Sequence, residues 1–125
     1  MILADTSLWT SFLKKEQPYF NKMREKLETG AIVSIEPVFG ELLQGSRNER
    51  ERQIIQAYWE SVPHIPVQNL FFTAGVMAGE KKLYSRGIGL FDAILIEAAE
   101  KINAQIWTTD KKLKRVLPRH LIYDN

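Results

Sequence analysis

The sequence predicts an α/β fold, a three-layer α/β/α sandwich with a central, mainly parallel sheet. Short apolar or β-branched segments alternate with longer segments of helical periodicity, which is the pattern of consecutive parallel βαβ units. The chain has 125 residues, of which 45% are hydrophobic and 26% are charged. This length and composition are typical of one globular domain, so we predict a single domain over residues 1–125, without internal repeats or linkers.

The first predicted strand and the two helices after it follow from apolar spacing and from helix-end residues. Met1–Ala4 is apolar and short, as a buried strand would be. Thr6 or Ser7 is expected to cap a helix, because a hydroxyl oxygen accepts hydrogen bonds from the free N–H groups of a first turn. A second helix is predicted between Pro18, whose fixed φ suits a helix start, and Gly30, which suits a helix end.

A second strand and two more helices are predicted next. Ala31–Ile35 is β-branched and short, which is the profile of an interior strand. A helix is expected to start at Pro37 and to stop near Gly45. The polar stretch Ser46–Arg52 leads into a further helix, whose apolar residues recur at helical spacing up to Trp59.

The rest of the chain continues the alternation. Pro63–Val67 contains two prolines, which lack an N–H donor, so a strand there is expected only at an edge of the sheet. Leu70–Tyr84 has helical periodicity and is followed by the glycine break Arg86–Gly89. The last predicted elements are two helices and two strands, namely a helix at Phe91–Ile102, a strand at Gln105–Thr108, a helix at Lys111–Leu117 and a strand at Leu121–Tyr123.

Composition limits the classes of function. The chain has no cysteine, which excludes disulfides and thiolate metal sites and favours a reducing, cytoplasmic compartment. No apolar run approaches the roughly 20 residues that a membrane span needs, and no basic region precedes an apolar stretch as in a secretory signal. The net charge of +2 does not by itself indicate a nucleic-acid partner. His64 and His120 lack metal-ligand spacing and are expected to be structural.

The aspartates are distributed unevenly along the chain. Only Asp5, Asp92, Asp110 and Asp124 occur, and none lies between residues 6 and 91. Asp5 and Asp110 each follow a predicted strand and precede a predicted helix. Ligands bind at the carboxyl edge of an open parallel sheet, so these two acids are expected in a binding crevice. Each could also be an ordinary helix cap. Asp124, in the tail, receives no role.

Two acids lie on predicted helices beside core-type residues. Asp92 is in the first turn of its helix and precedes Ala93-Ile94, while Glu41 precedes Leu42-Leu43. We therefore expect both carboxylates near the buried side of their helices. Such groups need a partner, because burying an unpaired charge is costly.

Several carboxylates that converge without an obvious lysine or arginine partner repel one another. A bound divalent cation would relieve this repulsion, and a raised carboxyl pKa is the alternative. Oxygen-only ligands favour Mg²⁺ or Mn²⁺. The hydroxyls of Thr6, Ser7, Thr108 and Thr109 could orient the ligands. Such a centre suits hydrolysis of a phosphodiester, because the metal activates a water and neutralises charge on the phosphate.

Four segments match, in order, the motifs of a known family. Asp5-Thr6-Ser7 resembles the D-T-S opening of PIN domains, and Glu41–Gly45 resembles their E-L-x-x-G helix. Gly87–Ala93 is similar to the glycine turn and D-A helix start that present a third acid. Ile106–Leu113 is similar to the closing T-x-D-x-x-F segment, with leucine where an aromatic is common. At this length the chain most resembles the VapC-type toxins of bacterial and archaeal toxin–antitoxin pairs.

The resemblance implies an activity and a set of site residues. It implies an endoribonuclease that uses Mg²⁺ or Mn²⁺, forms a homodimer and is neutralised by a small antitoxin. Asp5 would be a direct metal ligand and Asp92 its main partner. Glu41 and Asp110 would hold the metal or its waters and polarise the attacking one, although the last position varies within the family. Hydroxyl side chains would support the acids by hydrogen bonds, namely Thr108, and Thr6 or Ser7.

Basic and aromatic side chains are the other candidate contacts for RNA. Lys111, Lys112 and Lys114 follow Asp110 closely, where they could hold phosphates, but a solvated helix face explains them equally well. The second basic segment, Lys81–Arg86, is interpreted as a solvated face. Five aromatic residues are expected in the core or in a subunit interface rather than as base-stacking platforms, namely Trp9, Phe12, Phe71, Phe72 and Phe91.

Three other functions are compatible with an α/β fold and an acid pocket. A phosphoacceptor receiver domain needs paired acids after the first strand and an acceptor aspartate mid-chain, whereas this chain has a lone Asp5 there. A phosphatase of the haloacid-dehalogenase type needs D-x-D, and the position two residues after Asp5 is Ser7. A catalytically silent PIN fold that serves as a binding module stays open as an alternative.

Overall fold

In the part of the chain that the structure describes, three short parallel strands form the central sheet. A computed structural model describes residues 1–124. The strand order is β2-β1-β3, with β1 at Ile2–Ala4, β2 at Ile32–Val33 and β3 at Gln105–Trp107. Ile2 pairs with Ile32 on one side of β1, and Ala4 pairs with Trp107 on the other. Every residue of β1 is buried, as expected of an apolar strand with neighbours on both sides.

Single bridges extend this sheet at both edges. Ser34 bridges to His64 and Ile106 to Ile122, both in the parallel sense. The predicted strands at 63–67 and 121–123 are therefore wrong as full strands. In the first segment the prolines remove ladder donors. In the second, residues Arg119–Leu121 form a 3₁₀ turn after Pro118. The chain therefore meets β3 only at Ile122, which bridges to Ile106, and at Tyr123, whose N–H donates to the Ile106 carbonyl at 2.9 Å.

Within the described residues seven α-helices lie around the sheet, and the predicted α/β sandwich is confirmed. Helices α1, α2, α3 and α4 pack in a chain of contacts, and α5 packs on α6, which also contacts β3. Their bounds are Thr6–Leu13 (α1), Tyr19–Glu28 (α2), Glu36–Gln44 (α3), Glu49–Ser61 (α4), Phe71–Glu80 (α5), Leu90–Ile102 (α6) and Lys111–Val116 (α7). Within residues 1–124, no helix is both long and apolar enough to cross a bilayer.

Two local predictions need correction. Asp5, rather than Thr6 or Ser7, caps α1, because it leaves β1 in an extended conformation and its Oδ1 accepts the Leu8 N–H at 2.9 Å. The helix predicted to run to Tyr84 ends at Glu80. The chain then turns so that Leu83 becomes buried.

Candidate active site

The sheet topology brings the predicted acids to one cavity. Because Ala4 and Trp107 are paired in parallel strands, Asp5 and the Thr108–Asp110 segment leave the sheet at the same edge. Glu41 reaches this edge from α3 and Asp92 from the first turn of α6. The resulting cavity has a volume of about 320 Å³, and all four carboxylates line it together with apolar side chains, namely Pro37, Val38, Phe91 and Leu95.

Asp5 is the most buried of the four acids and is fixed by hydrogen bonds. It is 5% exposed. Its Oδ1 accepts from the Leu8 N–H at 2.9 Å and from the Ser7 hydroxyl at 2.7 Å, while Oδ2 accepts from the Thr108 hydroxyl. Burial raises the pKa of Asp5 above its usual value, and the nearby Asp110 adds to the rise, although the three hydrogen bonds oppose it.

Hydroxyl groups connect the two strand ends at this edge. The Asp110 N–H donates to the Thr108 hydroxyl at 2.9 Å, and the Thr109 N–H donates to the Ser7 hydroxyl at 3.0 Å. Ser7 and Thr108 also lie within hydrogen-bond distance of each other, at 3.2 Å. Residues that follow β1 and residues that follow β3 are thereby held in one network around Asp5.

Glu41 reaches the cavity from an exposed position. The expectation that it lies near the buried side of its helix is wrong, because α3 turns Val38, Phe39 and Leu42 inward and leaves Glu41 exposed. The Thr6 hydroxyl donates to Oε1 of Glu41 at 2.6 Å. This contact orients the carboxylate from the first turn of α1.

Asp92 has the most perturbed environment in the site. It is half-buried, and within residues 1–124 its carboxylate accepts no hydrogen bond. Burial raises the pKa of Asp92 to about 6, and the negative charges of Asp5, Asp110 and Glu41 add to the rise. The other three carboxylates of the cavity therefore act electrostatically on Asp92.

The two carboxylate oxygens of Asp110 have different surroundings. Its Oδ1 caps α7 by accepting from the Lys112 N–H at 2.9 Å and from the Leu113 N–H at 3.4 Å. Within the described chain, its Oδ2 receives no hydrogen bond. The helix-cap interpretation and a site role are thus compatible for the same residue.

The carboxylate oxygens of the cavity are chemically suited to a hard divalent cation. The oxygens without a hydrogen bond in the described chain are both of Asp92, Oε2 of Glu41 and Oδ2 of Asp110. Carboxylate oxygens of this kind are the usual ligands of Mg²⁺ and Mn²⁺. Among residues 1–124, however, no three acidic or histidine side chains already converge on one point. The cavity gathers the donors, and a bound ion would have to draw them closer together.

The pKa of Asp92 leads to a stability prediction for the metal-free protein. Because this pKa is raised, the contribution of Asp92 to stability is fully present below its unfolded value of 3.8 and is lost as the pH rises through about 6. In urea unfolding with chelator, the Asp92→Asn variant should therefore lose less stability than the wild type between about pH 4 and about pH 7. Glu80→Gln, on an exposed acid of α5, is the matched control. Equal pH dependence in wild type and Asp92→Asn would contradict this electrostatic account.

The predicted cationic residues differ in their surroundings. Lys111 and Lys112 are exposed and form no ion pair within residues 1–124. Lys114 lies 3.9 Å from Asp124, measured from Nζ to Oδ1, and such an exposed pair is weak. All three lysines thus remain accessible to an anionic ligand.

The histidines lie away from the acid cavity. The ring of His64 stacks on Trp59 with a centroid distance of 3.4 Å. Nε2 of His120 lies 2.9 Å from Oε1 of Glu100. Neither residue lines the acid cavity, and their structural role stays a prediction.

Sequence reasoning missed the position of Phe91. Trp9 and Phe12 are buried as expected, but Phe91 is 47% exposed and lines the acid cavity. Phe71 and Phe72 on α5 are also exposed. The sequence feature that could have predicted this position is that Phe91 directly precedes Asp92 in the first turn of α6.

Comparisons with known proteins give a consistent result. The family model of the PIN domain matches residues 2–117 of this chain. The fold is similar to a solved structure of VapBC2 from Rickettsia felis bound to a DNA fragment from their promoter. That match has a TM-score of 0.71 and 23% identity, and covers 100% of this chain and 98% of the other. The fold is also similar to PAE2754 from Pyrobaculum aerophilum, with a TM-score of 0.61, 15% identity, and coverage of 91% and 84%. No curated protein gave a significant sequence match.

Proposed function

This chain belongs to the PIN-domain family, and we propose from that premise that it is a Mg²⁺- or Mn²⁺-dependent endoribonuclease. PIN domains are generally nucleases that use divalent metals. The observation that carries the proposal is the single cavity lined by Asp5, Glu41, Asp92 and Asp110, in which mutual repulsion contributes to the raised pKa of Asp92. Residues 1–125 would act as one PIN-like domain.

Carboxylates would hold the ion, and hydroxyl groups would hold the carboxylates in place. Asp92, Glu41 and Asp110 offer unused oxygens, while Asp5 keeps about one acceptor site beyond its three hydrogen bonds. When bound, the metal would activate a water and neutralise charge on the phosphate and leaving oxygen. Hydroxyl groups support the acids, with Thr6 orienting Glu41, and Ser7 and Thr108 orienting Asp5.

Lysines next to the acids would supply positive charge for the phosphates of RNA. Lys111, Lys112 and Lys114 lie on α7, directly after Asp110. Their ammonium groups would hold backbone phosphates of the RNA near the acids, so binding should weaken with salt.

We also propose that the chain is the toxin of a VapBC-type toxin–antitoxin pair. Support comes from the likeness to VapBC2, which covers nearly the whole of both chains. The partner would be a small antitoxin protein. A homodimer is supported by the exposed apolar residues Phe71, Phe72 and Val76 of α5, which form a face that a second copy could bury. The absence of cysteine suits action in the cytoplasm.

Thr108 provides a test of the hydroxyl support. Its side chain donates to Asp5 and accepts from the Asp110 N–H, so it links two of the acids. Thr108→Val, which keeps the shape without the hydroxyl, should lower metal affinity or kcat/KM by about 10- to 100-fold. Thr108→Ser keeps the donor and should stay near the wild type. Equal values for the Val and Ser variants would show that the hydroxyl does not support the site.

The direct test of the proposed function is cleavage of RNA. Purified protein is incubated with single-stranded RNA and Mg²⁺ or Mn²⁺, and separately with excess chelator. Cleavage that requires the metal is expected. RNA that is bound without being cut under both metals would favour the catalytically silent binding module instead.

A further inference from the structure

Two basic segments that are distant in sequence meet at Gly87. A Cβ placed on Gly87 would lie 3.3 Å from Cδ and 3.7 Å from Nζ of Lys112. Gly87 also has φ +80°, a left-handed conformation that other residues rarely adopt. Glycine therefore allows the lysine side chain of α7 to lie directly against the turn that follows Lys81–Arg86.

An exposed aromatic side chain lies in the same turn. The Gly87 N–H donates to the carbonyl of Tyr84 at 3.1 Å, and the Ile88 N–H donates to the carbonyl of Leu83 at 3.0 Å. These bonds hold the 3₁₀ segment Tyr84–Arg86 tightly against Gly87. Leu83 is buried, whereas Tyr84 is 91% exposed, the highest value among the large apolar side chains of the described chain. Its ring has no aromatic partner there, and its hydroxyl has no hydrogen bond.

Two cations close to Tyr84 in sequence, and a third that lies against Gly87, are free to bind anions. Lys82, Arg86 and Lys112 are exposed, and within residues 1–124 none of them forms an ion pair. We call Lys82, Tyr84, Arg86 and Lys112 the Tyr84 surface. An accessible aromatic ring in the same region as unpaired cations is the combination that binds single-stranded nucleic acid, since the ring stacks on a base while the cations contact phosphates.

Two short chain segments connect the Tyr84 surface to residues of the acid cavity. Gly87–Gly89 leads directly into α6, whose first turn carries Asp92. Lys112 lies two residues after Asp110, and its backbone N–H donates to the Asp110 carboxylate. A chain of nucleotides that passes over the carboxylates can therefore continue onto this surface.

We propose that the Tyr84 surface binds a nucleotide of single-stranded RNA next to the cleaved bond, with the Tyr84 ring stacked on its base and Lys82, Arg86 and Lys112 contacting phosphates. The proposal rests on the proposed ribonuclease function and deepens it, because it assigns an unpaired base as part of the substrate. It changes two interpretations made from sequence. The Lys81–Arg86 segment is a binding element rather than a solvated face, and an aromatic side chain outside the predicted set stacks on the base.

Binding of RNA without cleavage is the measurement that tests this surface. A short, fluorescently labelled RNA without internal pairing is titrated with protein in excess chelator, and the Kd is obtained from anisotropy. Tyr84→Ala should raise Kd about tenfold, whereas Tyr84→Phe keeps the ring and should stay within about twofold. Lys112→Ala should reduce the slope of log affinity against log salt by about 0.7, the value for one lost phosphate contact on a single strand.

Controls separate this surface from general charge effects. Lys101→Ala removes an exposed lysine near the far end of α6 and should leave Kd and cleavage unchanged. The variants are at exposed positions, and circular dichroism checks that each is folded. The same variants are then assayed for cleavage with Mg²⁺, where Tyr84→Ala should raise KM by a similar factor.

The outcomes distinguish this proposal from the proposed function. Unchanged Kd and KM in Tyr84→Ala, with active wild type, would overturn the Tyr84 surface and leave the ribonuclease intact. Equal weakening by Tyr84→Phe and Tyr84→Ala would overturn stacking. Tyr84-dependent binding of RNA that the wild type never cuts would support the surface and overturn the nuclease. Absence of both binding and cleavage would overturn both.

Discussion

Asp92→Asn is expected to reduce metal-dependent cleavage of single-stranded RNA by at least about 100-fold. Loss of a residue that only supports a metal ligand costs up to about 100-fold, so loss of a direct ligand should cost at least as much. Asp92 has two carboxylate oxygens that are not engaged within the described chain, and it lies beside the other three acids. Asparagine has nearly the same shape but removes the charge and leaves only one oxygen. The measurement is kcat/KM for a labelled RNA with Mg²⁺ and with Mn²⁺.

The Asp92→Asn variant should lose activity without losing its fold. The substitution removes a charge that is repelled by Asp5, Asp110 and Glu41, so metal-free protein at neutral pH should be at least as stable as the wild type. Glu97→Gln, on the same helix and outside the cavity lining, is the control and should cleave normally. Cleavage by Asp92→Asn at the wild-type rate would indicate a contaminating nuclease or a different site.

Binding of Mg²⁺ or Mn²⁺ is expected to raise the melting temperature of the wild type. A ligand that binds only the folded state stabilises it by about 2.7 kcal/mol when its concentration is 100 times Kd. For a domain of this size such a gain corresponds to several degrees in Tm. The physical cause is relief of the repulsion among the carboxylates that line the cavity.

Asp5→Asn should abolish this metal-dependent rise in Tm. Asparagine caps helices about as well as aspartate, so α1 should keep its first turn and the variant should fold. Equal ionic strength of NaCl is the control for screening. A wild-type Tm that does not respond to either metal would count against a cation in this cavity, independently of any RNA assay.

Much of the site's location was predictable because it depends on local patterns and on a general property of parallel sheets. β1 and β3 are short apolar segments that occur close to where they were predicted. Once both are parallel neighbours, Asp5 and Asp110 must leave the sheet at the same edge. The first-turn position of Asp92 was likewise predictable from the glycine break before its helix.

Other features depended on a choice between alternative helix caps or alternative backbone paths, which local sequence patterns do not decide. Three residues in a row, Asp5, Thr6 and Ser7, could each cap α1, and the end of β1 decided in favour of Asp5. The remaining two hydroxyls then became free to orient Glu41 and Asp5. The segment after Glu80 kept helical periodicity, but burial of Leu83 was achieved through a turn and a 3₁₀ segment.

The amino-acid sequence by itself determined the α/β alternation, the order of the acids and the oxygen-only character of the candidate site. These properties follow from residue types and from neighbours along the chain. Only the tertiary structure decided the raised pKa of Asp92, the exposure of Glu41 and the contact between Gly87 and Lys112. Electrostatic interaction and close contact depend on distance in space, and the packing of α3, α6 and α7 around the sheet sets those distances.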